Sequence, residues 1–114
     1  MASIERGEIW LVNFDPTAGA EVRKKRPAVV VSNDLNNELA PLVTVVPLSG
    51  NVDRIYPFEV AVARDAGVRK DSKAMANQIR TVSKERLLKR LGKLPAGIMN
   101  AIDEAILLHL GIER

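Results

Sequence analysis

The chain has 114 residues, of which 46% are hydrophobic and 27% are charged, with a formal net charge of +3. This length fits one domain, predicted over residues 1–114, and the composition is typical of a globular protein rather than a disordered or membrane-embedded one. Cysteine is absent, which excludes disulfide scaffolds, thiolate metal sites and cysteine nucleophiles. Because no signal-peptide pattern is visible either, we expect a cytoplasmic protein.

Six segments are predicted to form β-strands, because they are rich in apolar and β-branched residues and are bounded by turn residues. In chain order they are Glu8–Phe14, Pro27–Ser32, Leu42–Leu48, Phe58–Val62, Ser72–Thr81 and Leu87–Gly92. The first strand has apolar residues at both odd and even positions, which is typical of a strand covered on both faces. A loop is predicted between the first two strands, and a turn or single helical turn at Asn33–Asn37.

The C-terminal segment is predicted to be a helix that begins near Pro95 and is capped by Gly111. Its apolar residues and the only histidine recur at helical spacing: Ile98, Met99, Ile102, Ala105, Ile106 and His109. Several short strands followed by one terminal helix predict a mainly β (α+β) fold, a small SH3-like antiparallel β-barrel with the helix packed on it.

The inventory of reactive side chains is short. His109 lies near the C-terminal end of the predicted helix, where it complements the helix dipole, so a structural role is favoured. With one histidine and no cysteine, we expect no metal site, and the isolated glycines form no phosphate-binding loop. We therefore expect a protein without metal or cofactor.

Arg26 and Ser49 form the remaining candidate site. Arg26 opens the second strand and Ser49 follows the third, and a short loop joins these strands, so antiparallel pairing would bring both residues to one edge of the sheet. A guanidinium beside a hydroxyl is a plausible phosphate site. The alternative, which spacing alone favours, is that Arg26 belongs to a solvated basic loop and Ser49 to a turn.

Charge is unevenly distributed along the chain. Residues 1–57 carry six Lys and Arg against seven Asp and Glu, whereas residues 58–114 carry eleven against seven. The longest basic run, at residues 23–26, nonetheless lies in the first half. A clustered positive surface favours a polyanionic partner, RNA or an acidic peptide, although a mildly basic balance alone is weak evidence.

An ordered set of sequence blocks resembles the MazF/PemK toxins. The blocks are Arg6-Gly7-Glu8-Ile9-Trp10, Asn13-Phe14-Asp15-Pro16-Thr17, Gly19-Ala20-Glu21, Arg26-Pro27-Ala28-Val29-Val30-Val31-Ser32, Tyr56-Pro57-Phe58-Glu59-Val60 and Asn77-Gln78-Ile79-Arg80. The resemblance runs from about residue 6 to the terminal helix. The ordered set of blocks is specific, whereas no single block would be.

The resemblance implies a toxin of a type II toxin-antitoxin system, an endoribonuclease that cleaves single-stranded RNA at specific sequences. Attack by the ribose 2′-hydroxyl would leave a 2′,3′-cyclic phosphate and a 5′-hydroxyl, without metal. The essential arginine of the family falls on Arg26, and its hydroxyl residue, more often threonine, falls on Ser49. The glutamate after the glycine of the first loop falls on Glu21. All three are predicted catalytic residues.

Further residues are predicted to bind the RNA, with the loop at residues 15–25 as the lid and base-reading element. They are Asp15, Lys24, Lys25, Tyr56, Gln78 and Arg80. The resemblance also implies a homodimer with RNA in a groove across its interface, and an acidic MazE-like antitoxin whose tail occupies that groove.

Two alternatives remain at this point. The first is a CcdB-like toxin, a non-enzymatic gyrase binder with the same fold that would act through its terminal helix. The second is a catalytically inactive RNA-binding barrel. The Arg26 and Ser49 pair and the basic loop argue against the first.

Overall fold

The computed structural model describes residues 3–113, so residues 1, 2 and 114 of the predicted 1–114 domain lie outside the described residues. Two helices, α1 and α2, span Asp34–Leu39 and Ala96–Leu110. Seven strands, β1 to β7, span Glu8–Asn13, Lys25–Val30, Leu42–Ser49, Glu59–Val62, Ser72–Met75, Arg80–Ser83 and Leu87–Lys93. The mainly β fold with a C-terminal helix is therefore confirmed.

The sheet is antiparallel, with strand order β4-β5-β3-β2-β1-β7, and β6 also pairs with β3. Within residues 3–113, β4 and β7 end this path and do not pair with each other, so the predicted barrel is not closed. Helix α2 packs against β4 instead, and its buried residue Ile102 belongs to the same apolar cluster as Val62 of β4. This edge strand is therefore covered by a helix and not by β7.

Two apolar clusters lie on opposite faces of the central strands, because successive side chains of a strand point to opposite sides. One contains Ile9, Val29 and Val46 together with Met99 and Ile102 of α2. The other contains Trp10, Val12, Phe14, Ala28, Val30, Val43, Val45 and Val82. The prediction that β1 is covered on both faces is thus confirmed.

The predicted strand over Ser72–Thr81 is wrong, since it is two strands separated by a 3₁₀ turn at Ala76–Gln78. The Ile79 N–H donates to the Ala76 carbonyl and closes this turn. The break lets one edge of the eight-residue strand β3 accept two short partners in succession. Its first half pairs with β6 and its last two residues pair with β5.

The ends of the terminal helix agree with the prediction from sequence. Pro95 is the N-cap, and Gly111 has a φ of 70°, a left-handed conformation that glycine adopts without a steric cost. The Gly111 N–H donates to the carbonyls of Leu107 and Leu108. His109 is exposed in the last turn, as a residue that complements the helix dipole would be.

Candidate functional site

A groove of about 840 Å³ lies at the edge of the sheet where β2 begins and β3 ends. Ala28 of β2 pairs with Pro47 of β3 in an antiparallel register, and continuing that register by two residues sets Arg26 opposite Ser49. Both residues line the groove. The structure therefore brings the two predicted residues together on adjacent strands.

Strand β2 begins two residues earlier than predicted, at Lys25, which makes Arg26 part of the sheet rather than of a solvated basic loop. Arg26 pairs with Val12 of β1 and is half-buried. Its Nε donates to the Arg23 carbonyl at 3.1 Å, and it forms no ion pair with any carboxylate in residues 3–113. Its charge is consequently available to an anion in the groove.

Ser49 and Asp15 both make hydrogen bonds that shape neighbouring backbone. The Ser49 Oγ accepts from the Asn51 N–H at 3.1 Å, which leaves its hydroxyl hydrogen available to a ligand. An Asp15 carboxylate oxygen accepts from the Lys24 N–H at 2.9 Å. Lys24 has a φ of 65°, an unfavourable conformation for a residue with a side chain, so Asp15 stabilises the bend that carries the lysine into the groove.

The groove walls are strongly basic. Eight cations line it, namely Lys24, Lys25, Arg26, Arg64, Arg69, Lys70, Lys89 and Arg90, and no Asp or Glu of the described chain does. The last five were not predicted as site residues. The sequence indicates them only through the excess of Lys and Arg in residues 58–114. The spacing of these residues along the chain does not show that they share one surface.

Gly50 allows one of these cations to approach the end of β3. A Cβ placed on Gly50 would lie 2.6 Å from Cε and 2.7 Å from Nζ of Lys70, so the lysine occupies the space that any larger residue would need. The Lys70 ammonium consequently lies beside the residue that follows Ser49.

Three other predicted residues lie in a second hollow of about 440 Å³ and do not line the groove: Glu21, Gln78 and Arg80. The Gln78 side-chain carbonyl accepts from the Val22 N–H at 2.8 Å. Arg80 donates to the Phe14 carbonyl at 3.1 Å, and its guanidinium lies 5.7 Å from the centroid of that ring. The structure thus separates Glu21 from the Arg26 and Ser49 pair.

Tyr56 lies outside both cavities, in the segment between β3 and β4. Its ring stacks on Phe58 with centroids 5.3 Å apart, and the Arg54 guanidinium lies 4.5 Å from its centroid. Lys73 ties this segment to the sheet, since its ammonium donates to the Arg54 carbonyl at 2.8 Å and pairs with Glu59 at 3.0 Å. Tyr56 is 39% exposed, so one part of an ordered aromatic surface faces solvent.

Comparison with known proteins identifies the fold and the family. The family model of PemK-like, MazF-like toxins of type II toxin-antitoxin systems matches residues 5–110. This chain belongs to that family. Endoribonuclease MazF9 of Mycobacterium tuberculosis is 44% identical over 115 residues, covering 96% of this MazF-like chain and 98% of that protein.

Solved structures agree with the fold of this MazF-like toxin. The crystal structure of MazF (form I) from Deinococcus radiodurans has a TM-score of 0.88 at 26% identity, covering 98% of this chain and all of that one. An endoribonuclease from a mycobacterial species has a TM-score of 0.83 at 24% identity, covering 100% and 97%. Because the match is to the MazF family, the CcdB-like alternative is not favoured.

Two further observations concern metal binding and membrane spanning. Among residues 3–113, no group of three or more His, Asp or Glu side chains is placed to hold a metal ion. None of the helices in the same range is long and apolar enough to cross a membrane.

Proposed function

We propose that this MazF-like chain is a sequence-specific endoribonuclease toxin that cleaves single-stranded RNA in the basic groove. One observation carries the proposal: Arg26 and Ser49 lie on adjacent antiparallel strands and both line a groove that has eight cations and no described carboxylate. The 44% identity to a protein named as an endoribonuclease supports it. We further propose that residues 1–114 form one toxin domain and that it acts in the cytoplasm, where its RNA is found.

The reaction needs alignment, charge neutralisation and two proton transfers. The ribose 2′-oxygen attacks the adjacent phosphorus and loses its proton to solvent water, and the bond from phosphorus to the 5′-oxygen breaks as that oxygen gains a proton. The products are a 2′,3′-cyclic phosphate and a 5′-hydroxyl. No external nucleophile is consumed, which suits a site without histidine or cysteine.

We assign Arg26 the stabilisation of charge on the pentavalent phosphorane. An arginine is a poor general base because a guanidinium holds its proton tightly, so electrostatic stabilisation comes first and proton donation to the 5′-oxygen second. Ser49 would donate its hydroxyl hydrogen to a phosphate oxygen, an interaction that the hydrogen bond from Asn51 leaves open. Threonine is more frequent at this position in the family, and serine keeps the hydroxyl.

The second hollow supplies a place for nucleotides that flank the cleaved bond. Glu21 and Gln78 offer hydrogen-bonding groups, and Arg80 offers a charge, on the walls of a cavity that is separate from the groove. We propose that these side chains read bases or hold phosphates, and that Tyr56 offers an aromatic ring to a base. Glu21 would then act in recognition rather than in the proton transfers.

The partners that we propose are a second copy of the chain and an acidic antitoxin. Solved structures of similar fold include an endoribonuclease from a mycobacterial species in complex with its cognate antitoxin, with a TM-score of 0.80 at 24% identity. A groove that accepts phosphates also accepts carboxylates, so an acidic peptide tail and RNA should compete for it. A ternary complex of dimer, RNA and tail in native mass spectrometry would contradict this competition.

Cleavage of a long single-stranded RNA in excess EDTA tests the activity. We expect cuts at a few sites and 5′-hydroxyl ends that a kinase labels directly, with Arg26→Ala inactive under the same conditions. Binding without any cleavage would instead support the inactive RNA-binding alternative. Activity that disappears with EDTA and returns with magnesium would overturn the metal-free mechanism.

A further inference from the structure

Glu8 of β1 is a buried carboxylate that contacts Arg90, a residue of the groove wall. Its side chain is only 6% exposed, and it does not line the groove itself. One oxygen accepts from the Glu5 N–H at 2.7 Å and from the Trp10 indole N–H at 3.1 Å. The other accepts from the Arg90 Nε at 2.5 Å. A carboxylate with three donors is held in one orientation.

Burial alone would raise the pKa of the Glu8 carboxyl. The hydrogen bonds from the Glu5 N–H, Arg90 and Trp10 outweigh that effect, so the pKa of Glu8 lies below its usual value. Glu8 is therefore charged at neutral pH, and its attraction for the Arg90 guanidinium is present under the conditions in which RNA binds.

Arg90 of β7 is the groove-side partner of this pair. Its side chain is 49% exposed and lines the same groove as Arg26 and Ser49. The ion pair uses Nε, and the two terminal nitrogens make no hydrogen bond to the described part of the chain, residues 3–113. They remain free for the bidentate geometry with which arginine binds phosphate.

The sheet register places Arg90 on the same side of the sheet as Arg26. Trp10 of β1 pairs with Arg90 on one side and with Ala28 on the other, two residues beyond Arg26 in β2. Two strand spacings of about 4.8 Å and two residues of rise set the α-carbons of the two arginines roughly 12 Å apart. Their long side chains can therefore contact the same stretch of backbone.

We propose that Arg90 is a phosphate-binding residue of the groove and that Glu8 is a positioning residue that fixes its guanidinium toward the RNA. The inference rests on the proposed RNA-binding function and names residues that the sequence and the comparisons do not assign to it. A preorganised arginine avoids the loss of side-chain freedom on binding, which corresponds to roughly a 2- to 10-fold gain in affinity.

The test measures the binding of a mixed-sequence 2′-O-methyl RNA oligonucleotide, in which every 2′-hydroxyl nucleophile is blocked, by fluorescence anisotropy. Arg90→Lys retains a cation that pairs with Glu8, but it lacks the planar fork, so we expect unchanged urea unfolding and a roughly 2- to 10-fold weaker affinity. Arg90→Ala should also make the negative slope of log affinity against log salt less steep by about 0.7. Lys93→Ala is the control, because this β7 lysine pairs with Glu5 and does not line the groove.

A double-mutant cycle separates positioning from simple charge. Glu8→Gln should weaken oligonucleotide binding in the wild-type background and have no effect in the Arg90→Ala background. If Glu8 contributed only a negative charge near the groove, its removal would instead tighten binding in both backgrounds. Unfolding followed by the fluorescence of Trp10, the only tryptophan, identifies any variant that fails to fold.

The outcomes for the two proposals are distinguishable. A wild-type protein that neither binds the oligonucleotide nor cleaves unmodified RNA refutes the proposed function. A wild-type protein that does both, together with Arg90→Lys and Arg90→Ala variants that bind as tightly as the wild type, overturns only the inference about Arg90 and Glu8.

Discussion

The charge of the groove makes a quantitative prediction about salt. Each neutralised phosphate of a single strand contributes about −0.7 to the slope of log affinity against log salt, so the eight lining cations set a limit of about −5.6. At that limit, the affinity for a single strand falls roughly 2,000-fold between 50 and 200 mM salt. The variant Lys24→Gln/Lys25→Gln removes two of the eight charges and keeps side chains of similar length. We expect its slope to be less steep by about 1.4.

The assay titrates the same 2′-O-methyl oligonucleotide at four or more salt concentrations. Lys84→Gln/Lys93→Gln is the matched control, because it removes the same net charge from residues that do not line the groove. The control should keep the wild-type slope within about 0.3, well under one phosphate contact. Equal slopes for the wild type and the Lys24/Lys25 variant would refute the placement of RNA in this groove.

Further predictions concern Arg26, the residues at the end of β3, and Glu8. Arg26→Ala should abolish cleavage, and Arg26→Lys should restore little of it, while thermal unfolding stays unchanged because the side chain is not part of the apolar core. Ser49→Ala should lower the single-turnover rate roughly 10- to 1000-fold, as the loss of one oxyanion donor does, whereas Ser49→Thr should remain active. Gly50→Ala should displace the Lys70 ammonium and lower the rate as much as Lys70→Ala, with no further loss in the double variant; additive losses would contradict this. The pKa of the Glu8 carboxyl is lower in the folded chain than its unfolded value of 4.5, so ionised Glu8 stabilises the folded state above that value. This stabilisation is lost as the pH falls through the folded-state pKa, so the free energies of urea unfolding of the wild type and Glu8→Gln should converge in acid.

The sequence was sufficient for the elements whose signal is local. β1 and β3 are apolar runs bounded by turns, and the terminal helix has both a helical period and a glycine cap, so these elements lie close to their predicted positions. The proximity of Arg26 and Ser49 at one edge of the sheet follows from antiparallel strand direction and a short connection. Each of these predictions depends on residues that are near one another in the chain or joined by a short connection.

Features that depend on distant residues were not predictable in the same way. The 3₁₀ turn at Ala76–Gln78 has no glycine or proline to mark it. The strands on either side of it, β5 and β6, both pair with β3, a strand distant in sequence. The acidic residue in the first strand, Glu8, gives no indication from sequence alone that Arg90, 82 positions away, compensates its burial. Likewise, Arg64 and Lys70 reach the groove through the fold rather than through a motif.

The two cavities draw their walls from structurally different parts of the chain. Arg26 and Ser49 belong to strands whose positions are fixed by ladders on either side, whereas the second hollow is built largely from residues 20–22 and from the 3₁₀ turn and the residues that follow it. Substitutions at Glu21 or Gln78 therefore leave the strand ladders intact. Under the proposed function, a lineage of such toxins would be able to change which RNA sequence it recognises without disturbing the chemistry of cleavage, and target choice would diverge under selection while the reaction is retained.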